Sequence, residues 1–323
     1  MSIAHESLAA HSRNGGTELG LKVVNSLVVN RSATERRAST IPARRTVKKA
    51  WQAAWLVRAV ECIDLTTLSG DDTPGNVHRL CAKAREPVRH DLLESLGLEK
   101  LQVGAVCVYH RYVEACVKNL KGTGIKVAAV STGFPAGLSS FTERLAEIKA
   151  SVEAGADEID IVITRAHVLR GEWQALYDEI QMFKEACGAA HLKAILATGD
   201  LGTLTNVARA STVCMQAGAD FIKTSTGKEP VNATLQVALT MARCIRWYEE
   251  TTGYKVAFKA AGGIRTAKQA LDFMILLKEE LGEEWLRPNL FRIGASTLLA
   301  DIERQIEHFT TGRYSAYNRH GMG

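Results

Sequence analysis

The stretches EAGADEID (153–160) and QAGADFIK (216–223) carry the same Ala-Gly-Ala-Asp turn, each time between a helical pattern and an apolar run. Gly suits the residue just past a helix, because it enters the left-handed region without a Cβ clash. Two copies of such a helix-to-strand joint point to quasi-equivalent units. Working outward in both directions, apolar or β-branched runs recur at 62–68, 105–109, 126–133, 158–163, 192–198, 221–225, 256–261 and 290–294. Segments with helical periodicity follow them, at 74–85, 111–121, 140–154, 173–187, 204–217, 232–251, 266–281 and 297–309. Strict strand–helix alternation implies a parallel sheet, and eight units in about 260 residues are the count and size of a closed barrel. The predicted class is therefore α/β, a single (β/α)8 TIM barrel over 61–310. A basic, partly helical N-terminal extension (1–60) precedes it and a short tail (311–323) follows.

Composition agrees with a large buried core: 323 residues, 46% hydrophobic and 23% charged. The net charge of +5 is uneven, since residues 1–50 hold nine Lys and Arg against three acids, while the remainder is nearly neutral. Seven cysteines without a CxxC pair argue against a disulfide framework and a zinc ribbon, and predict a reducing, cytoplasmic setting. The longest uncharged stretch, 127–142, contains Gly133, Pro135 and Gly137 and is unsuited to spanning a membrane. The Arg-rich, acid-poor N-terminus shares its character with transit peptides but has no apolar core of a secretory signal.

In a barrel, chemistry gathers at the C-terminal ends of the strands. With period two, Lys223 shares a face with Phe221 and Ser225, and Lys259 with Ala257 and Ala261. Both lysines are predicted to point inward on neighbouring strands at similar depth. Two ammonium groups so close cannot both stay protonated cheaply, and a neutral lysine is a nucleophile for carbonyls. In EIDIVI (158–163) the isoleucines face the helices, so Asp160 faces the interior, where the lysines supply its partners and it serves as a proton relay. Asp64 follows the same logic, and Lys193 is a third inward cation, read as the partner of a carboxylate. A solvated strand-end lysine and a purely structural ion pair are the bland readings of these residues taken singly. For an anionic group, the Gly-containing turns at Lys228, at Gly262 and Gly263, and at Gly294 and Ser296 lie after the last three strands, where backbone N–H groups and helix N-termini can hold phosphate.

Taken together, FIKTSTGK (221–228), FKAAGGIRT (258–266), EIDIVI (158–163), IDLTTL (63–68) and RIGAS (292–296) closely resemble the motifs of class I deoxyribose-phosphate aldolases, in their animal-type form. The resemblance runs from about Arg44 to Tyr317. It implies reversible, metal-free and cofactor-free cleavage of 2-deoxy-D-ribose 5-phosphate to acetaldehyde and D-glyceraldehyde 3-phosphate. It further implies Lys223 as the Schiff-base lysine, Lys259 as the lysine that perturbs it and Asp160 as the relay. Asp64 and Cys107 match pocket residues, and Lys228, Gly262, Gly263, Gly294 and Ser296 match the phosphate site. The chain departs from the family at Ala260 and His110, often Pro there, and offers both Tyr314 and Tyr317 where bacterial members use one C-terminal tyrosine. His110 is read as a solvated loop residue. Two alternatives stand beside this reading: a Schiff-base aldolase or transaldolase for another sugar phosphate, and a barrel binding RNA or protein through its basic extension. A small sugar phosphate is the expected partner, with no membrane, nucleic acid disfavoured and oligomerisation open.

Overall fold

The computed structural model describes residues 13–44, 46–316 and 319–321. Eight parallel strands close in sequence order: β1 (Ile63–Thr66), β2 (Ala105–Tyr109), β3 (Lys126–Ser131), β4 (Glu158–Val162), β5 (His191–Ile195), β6 (Phe221–Lys223), β7 (Ala257–Ala261) and β8 (Phe291–Ala295). Three helices precede the barrel: α1 (Leu21–Ser26), α2 (Arg31–Arg44) and α3 (Lys49–Glu61). The helices of the outer ring are α4 (Pro74–Arg85), α5 (His90–Ser95), α6 (Val113–Leu120), α7 (Phe141–Glu153), α8 (Arg165–Arg170), α9 (Trp173–Cys187), α10 (Leu204–Gln216), α11 (Leu235–Thr252), α12 (Ala267–Leu281) and α13 (Leu298–Thr311). All eight expected strands form, and all eight expected helices form within a few residues of their predicted ends.

Local chemistry sets these boundaries. Thr73, Ser140, Thr203, Thr234 and Thr266 each cap a ring helix by accepting from the backbone N–H three residues on. Ser140 and Thr266 complete reciprocal capping boxes with Glu143 and Gln269. The repeated turn is also explained. Asp157 Oδ2 accepts from Val127 N at 2.9 Å and Asp220 Oδ2 from Leu192 N at 2.8 Å, so each aspartate pins the start of the preceding strand.

Alternate strand residues divide the core in two. The outward set (Val106, Ile159, Leu192, Ile222, Phe258 and Ile293 among others) packs under the helices in one large apolar shell. A smaller interior group of Cys107, Ala128, Val130, Phe134, Val162 and Ile195 fills part of the barrel. Beside it the interior holds Phe221, whose ring centroid lies 5.2 Å from Lys193 Nζ, and a set of buried charged residues.

The extension packs on the outer ring through its three helices. α1 lies against α10, α2 against α11 and α12, and α3 against α12 and α13. α2 was not expected, because its polar sequence hides a narrow stripe in which, among its described side chains, only Thr34, Ala38 and Ile41 are buried. α5 and α8, six residues each, are too short to show a helical period and were also missed. Ahead of α1, Asn14 is 2% exposed, and its Nδ2 donates to Met215 O at 2.7 Å and Ala219 O at 2.9 Å, capping the end of α10. Trp51, by contrast, is 72% exposed. No helix among the described residues is long and apolar enough to cross a membrane. All seven cysteines are buried and none is in a disulfide.

Candidate active site

Five strands deliver the predicted charged residues Asp64, Asp160, Lys193, Lys223 and Lys259 to one place. Asp160 and Lys193 are register partners on β4 and β5, as are Lys223 and Lys259 on β6 and β7. Asp160 Oδ2 accepts from Lys223 Nζ and from Lys259 Nζ, each at 2.7 Å. Lys259 Nζ also lies 2.5 Å from Asp64 Oδ2, although β8 separates their strands. It gets there because Gly294 stands between them: a Cβ at that position would lie 3.2 Å from Lys259 Cε. Gly294 therefore sits at the depth of the lysine stem.

Two further residues complete the cluster, and sequence reading had assigned neither a role. Arg292 donates to Asp64 Oδ1 at 2.6 Å and to Glu158 Oε1 at 2.9 Å. Lys193 Nζ lies 2.5 Å from Glu158, 3.0 Å from Asp64 and 3.4 Å from Asp160. The signal was available: Glu158 is two residues from Asp160 and Arg292 two from Gly294, so both share an inward face.

All seven side chains are at most 4% exposed. Charges this deep persist only when paired. With every group ionised, four cations face three carboxylates and leave one net positive charge. Release of a single lysine proton brings the cluster to neutrality. Burial opposes charge at each lysine, but its partners differ. Around Lys259, Asp160 and Asp64 outweigh burial and hold its pKa well above the usual lysine range. Lys193 is likewise raised, against burial, by Asp160, Asp64 and Glu158. Lys223 has Asp160 alone and Lys259 as a like-charged neighbour, so burial prevails and its pKa is lowered. The carboxyls go the other way: Asp64, Glu158 and Asp160 are held below their usual range, the surrounding cations outweighing burial. The geometry thus combines a lysine poised to be neutral, a second that stays charged and an ionised carboxylate bridging them. Asp160 Oδ1 has no hydrogen-bond partner.

The other predicted positions are distributed around this centre. Cys107 is 1% exposed among the interior apolar residues, with burial pushing its thiol pKa up. Lys228, Gly263 and Ser296 are exposed on loops beyond the C-terminal ends of β6, β7 and β8. Lys228 Nζ donates to Leu68 O at 3.1 Å across the mouth. Gly262 and Gly263 have φ of +82° and +83°, and a Cβ on Gly262 would lie 2.6 Å from Asn232. Both asparagine contact and backbone angle therefore require glycine there. His110 is half-buried, not the solvated residue expected, with Nδ1 3.1 Å from Ser151 Oγ on α7. Ala260 is fully buried in the outer apolar shell, facing away from the lysines. Tyr314 stacks on His308 at 3.9 Å just past the end of α13, and ring helices end at the face opposite the strand C-termini. Tyr317 lies outside the described residues.

The chain matches the model of the DeoC/LacD family aldolases over residues 58–303. It is 60% identical to the human protein named deoxyribose-phosphate aldolase, over 96% of this chain and 98% of that one. Against the bovine protein of the same name the identity is 59%, with the same coverage. Among solved structures it resembles the tetrameric deoxyribose phosphate aldolase from Aeropyrum pernix, with a TM-score of 0.57 and 22% identity over 86% of this chain and 99% of that one. That last likeness concerns the fold alone. With a family match across nearly the whole barrel and end-to-end identity to the mammalian proteins, this chain belongs to the DeoC/LacD family of aldolases and is a lyase.

Proposed function

We propose that this aldolase cleaves 2-deoxy-D-ribose 5-phosphate reversibly, with Lys223 as the Schiff-base nucleophile. The observation that carries the reading is the sharing of one Asp160 oxygen by two buried lysines, of which only Lys259 has a second carboxylate. Neutral Lys223 adds to the C1 carbonyl of the open-chain sugar, and loss of water from the carbinolamine leaves an iminium. The C2–C3 bond then breaks. Its electron pair flows to the iminium nitrogen to give an enamine, the C3 hydroxyl loses its proton, and C3 becomes the aldehyde of glyceraldehyde 3-phosphate. Protonation of the enamine at C2 and attack of water on the resulting iminium release acetaldehyde and restore Lys223. Asp160 moves these protons, since its Oδ1 accepts no hydrogen bond and its carboxyl is held ionised.

Lys259 remains an ammonium throughout and keeps Lys223 from holding its proton. Asp64 has both oxygens taken by three cations and positions Lys259. Lys228, Gly262, Gly263 and Ser296, with the N-terminus of α13, receive the phosphate at the mouth. Gly294 supports this region from below, and Cys107 lines the pocket beside the lysines. Residues 61–310 are the catalytic unit, and α1, α2 and α3 brace its outer wall. The reading includes a cytoplasmic location and no nucleic-acid partner.

Borohydride reduction in the presence of acetaldehyde, followed by peptide mass mapping, tests the centre of this proposal. An ethyl adduct on Lys223 is expected, and Lys223→Met should lose both the adduct and roughly 10⁴-fold or more of the activity. An adduct on Lys259 or Lys193 instead, or none on the folded protein, sinks it. Comparison with ribose 5-phosphate and fructose bisphosphate as substrates tests the choice of sugar.

A further inference from the structure

Arg165 opens α8 in the loop that follows β4, and its guanidinium meets three other loops of the barrel mouth. Nη1 donates to Ala136 O at 2.7 Å and Nη2 to Pro135 O at 3.1 Å, both after β3. Nε lies 3.0 Å from Asp200 Oδ2 after β5, and Nη2 lies 3.5 Å from Glu229 Oε1 after β6. A planar fork joins these points simultaneously, which a lysine ammonium has no geometry to do.

The Glu229 end of this brace leads to the proposed phosphate loop. Its side chain is 4% exposed and accepts from Thr226 N at 3.1 Å, Thr226 Oγ1 at 2.7 Å and Gly227 N at 3.2 Å. Lys228 N in turn donates to Thr226 Oγ1 at 3.0 Å. The Glu229 carbonyl accepts from Asn232 Nδ2 at 2.7 Å, and Asn232 is the residue packed on Gly262. One buried carboxylate therefore fixes the turn that carries Lys228, and the backbone carbonyl of the same residue holds Asn232 against the turn after β7. Burying that charge is costly without compensation, and Arg165 is the cation placed against it. Neither residue pairs with any member of the Lys223–Asp160–Lys259 cluster.

We propose that Arg165 and Glu229 are positioning residues for the phosphate end of the substrate. They hold the β6 loop so that Lys228 and the turn after β7 meet the phosphate together, and thereby set the preference for a phosphorylated over an unphosphorylated sugar. The proposal rests on the substrate reading above.

The test uses Arg165→Gln and Glu229→Gln in the full chain. Cleavage of 2-deoxyribose 5-phosphate and of unphosphorylated 2-deoxyribose is measured beside acetaldehyde trapping at Lys223. KM for the phosphorylated sugar is expected to rise about tenfold, with kcat within about threefold, and with KM for the free sugar and trapping unchanged. Arg165→Lys, which keeps the charge without the fork, should fall between. Equal loss with both sugars, or no change with either, overturns the proposal. If Arg165→Gln fails to trap acetaldehyde, Glu229→Gln, which conserves size, decides. Lys228→Ala run alongside separates the two layers. If it leaves the preference for phosphorylated sugar intact, the phosphate reading fails; if it abolishes the preference and the two brace variants do not, the brace alone fails.

Discussion

The two ends of the buried ionic cluster are built from the same residue types and behave in opposite ways. At the β8 end, Arg292, Lys193, Asp64 and Glu158 saturate one another, and both Asp64 oxygens are taken. At the β6 end, Lys223 has a single carboxylate partner, and the second oxygen of that carboxylate has no hydrogen bond. Burial is nearly complete at both ends, so desolvation does not distinguish them. The number of carboxylates does. Where the partners are complete the cluster is scaffold, and where they run short it holds a group ready to lose a proton.

Lys259 stands at the junction, and removing its charge should break the contrast most severely. In Lys259→Met three cations face three carboxylates, so the cluster is neutral with Lys223 protonated. The acid limb of the pH–rate profile reports the neutral fraction of Lys223, and it should move to higher pH by about one to three units. At pH values below the wild-type limb that corresponds to a loss of roughly 10- to 1,000-fold in kcat/KM, recoverable in part at alkaline pH. A profile reduced at all pH values without displacement would mean that Lys259 acts on the substrate directly and not through its neighbour's proton.

Asp64→Asn probes the opposite sign. Loss of one carboxylate leaves the cluster more positive, so the lysine pair sheds a proton more readily and the acid limb should move down by about one unit. The substitution strands buried charge at Lys193, Lys259 and Arg292, and a stability loss of about 3–5 kcal/mol is expected in denaturant unfolding. A limb that stays fixed while stability falls would place the control of Lys223 entirely in Asp160.

The sequence disclosed the barrel and its reactive end for the same reason. Alternation of apolar runs with helical segments is a long-range pattern that survives local noise, and inward-facing Lys223, Lys259 and Asp160 stand out against apolar strands. Glu158 and Arg292 were legible by the same period and were overlooked because each looks like an ordinary charge at the start of a strand. The brace was not legible. Arg165 lies on a six-residue helix without periodicity, and its partners at Pro135, Ala136, Asp200 and Glu229 become neighbours only when four loops converge. Gly294 was assigned to phosphate by its place after the last strand and by resemblance, whereas its place beside the Lys259 stem depends on a side chain crossing from β7 over β8 to β1.

That crossing yields the smallest and most local of the predictions. Gly294 lacks a positive φ, so Gly294→Ala carries no backbone penalty, and its methyl would meet Lys259 Cε at 3.2 Å and Ala261 Cβ at 3.1 Å. Ala261 is held in β7 by its ladder with β8, whereas the lysine stem can rotate. The lysine should yield by a few tenths of an ångström and lengthen its 2.5 Å contact with Asp64. Lys259 then shares the condition of Lys223, with a weakened second carboxylate, and the pair should release its proton slightly more easily. A downward displacement of the acid limb by a few tenths of a pH unit is expected, in the direction of Asp64→Asn but smaller. If Gly294 serves the phosphate and not the lysine, the limb stays where it is. KM for the phosphorylated sugar then rises while KM for free deoxyribose does not, so one pair of profiles decides which of its two neighbours the glycine makes room for.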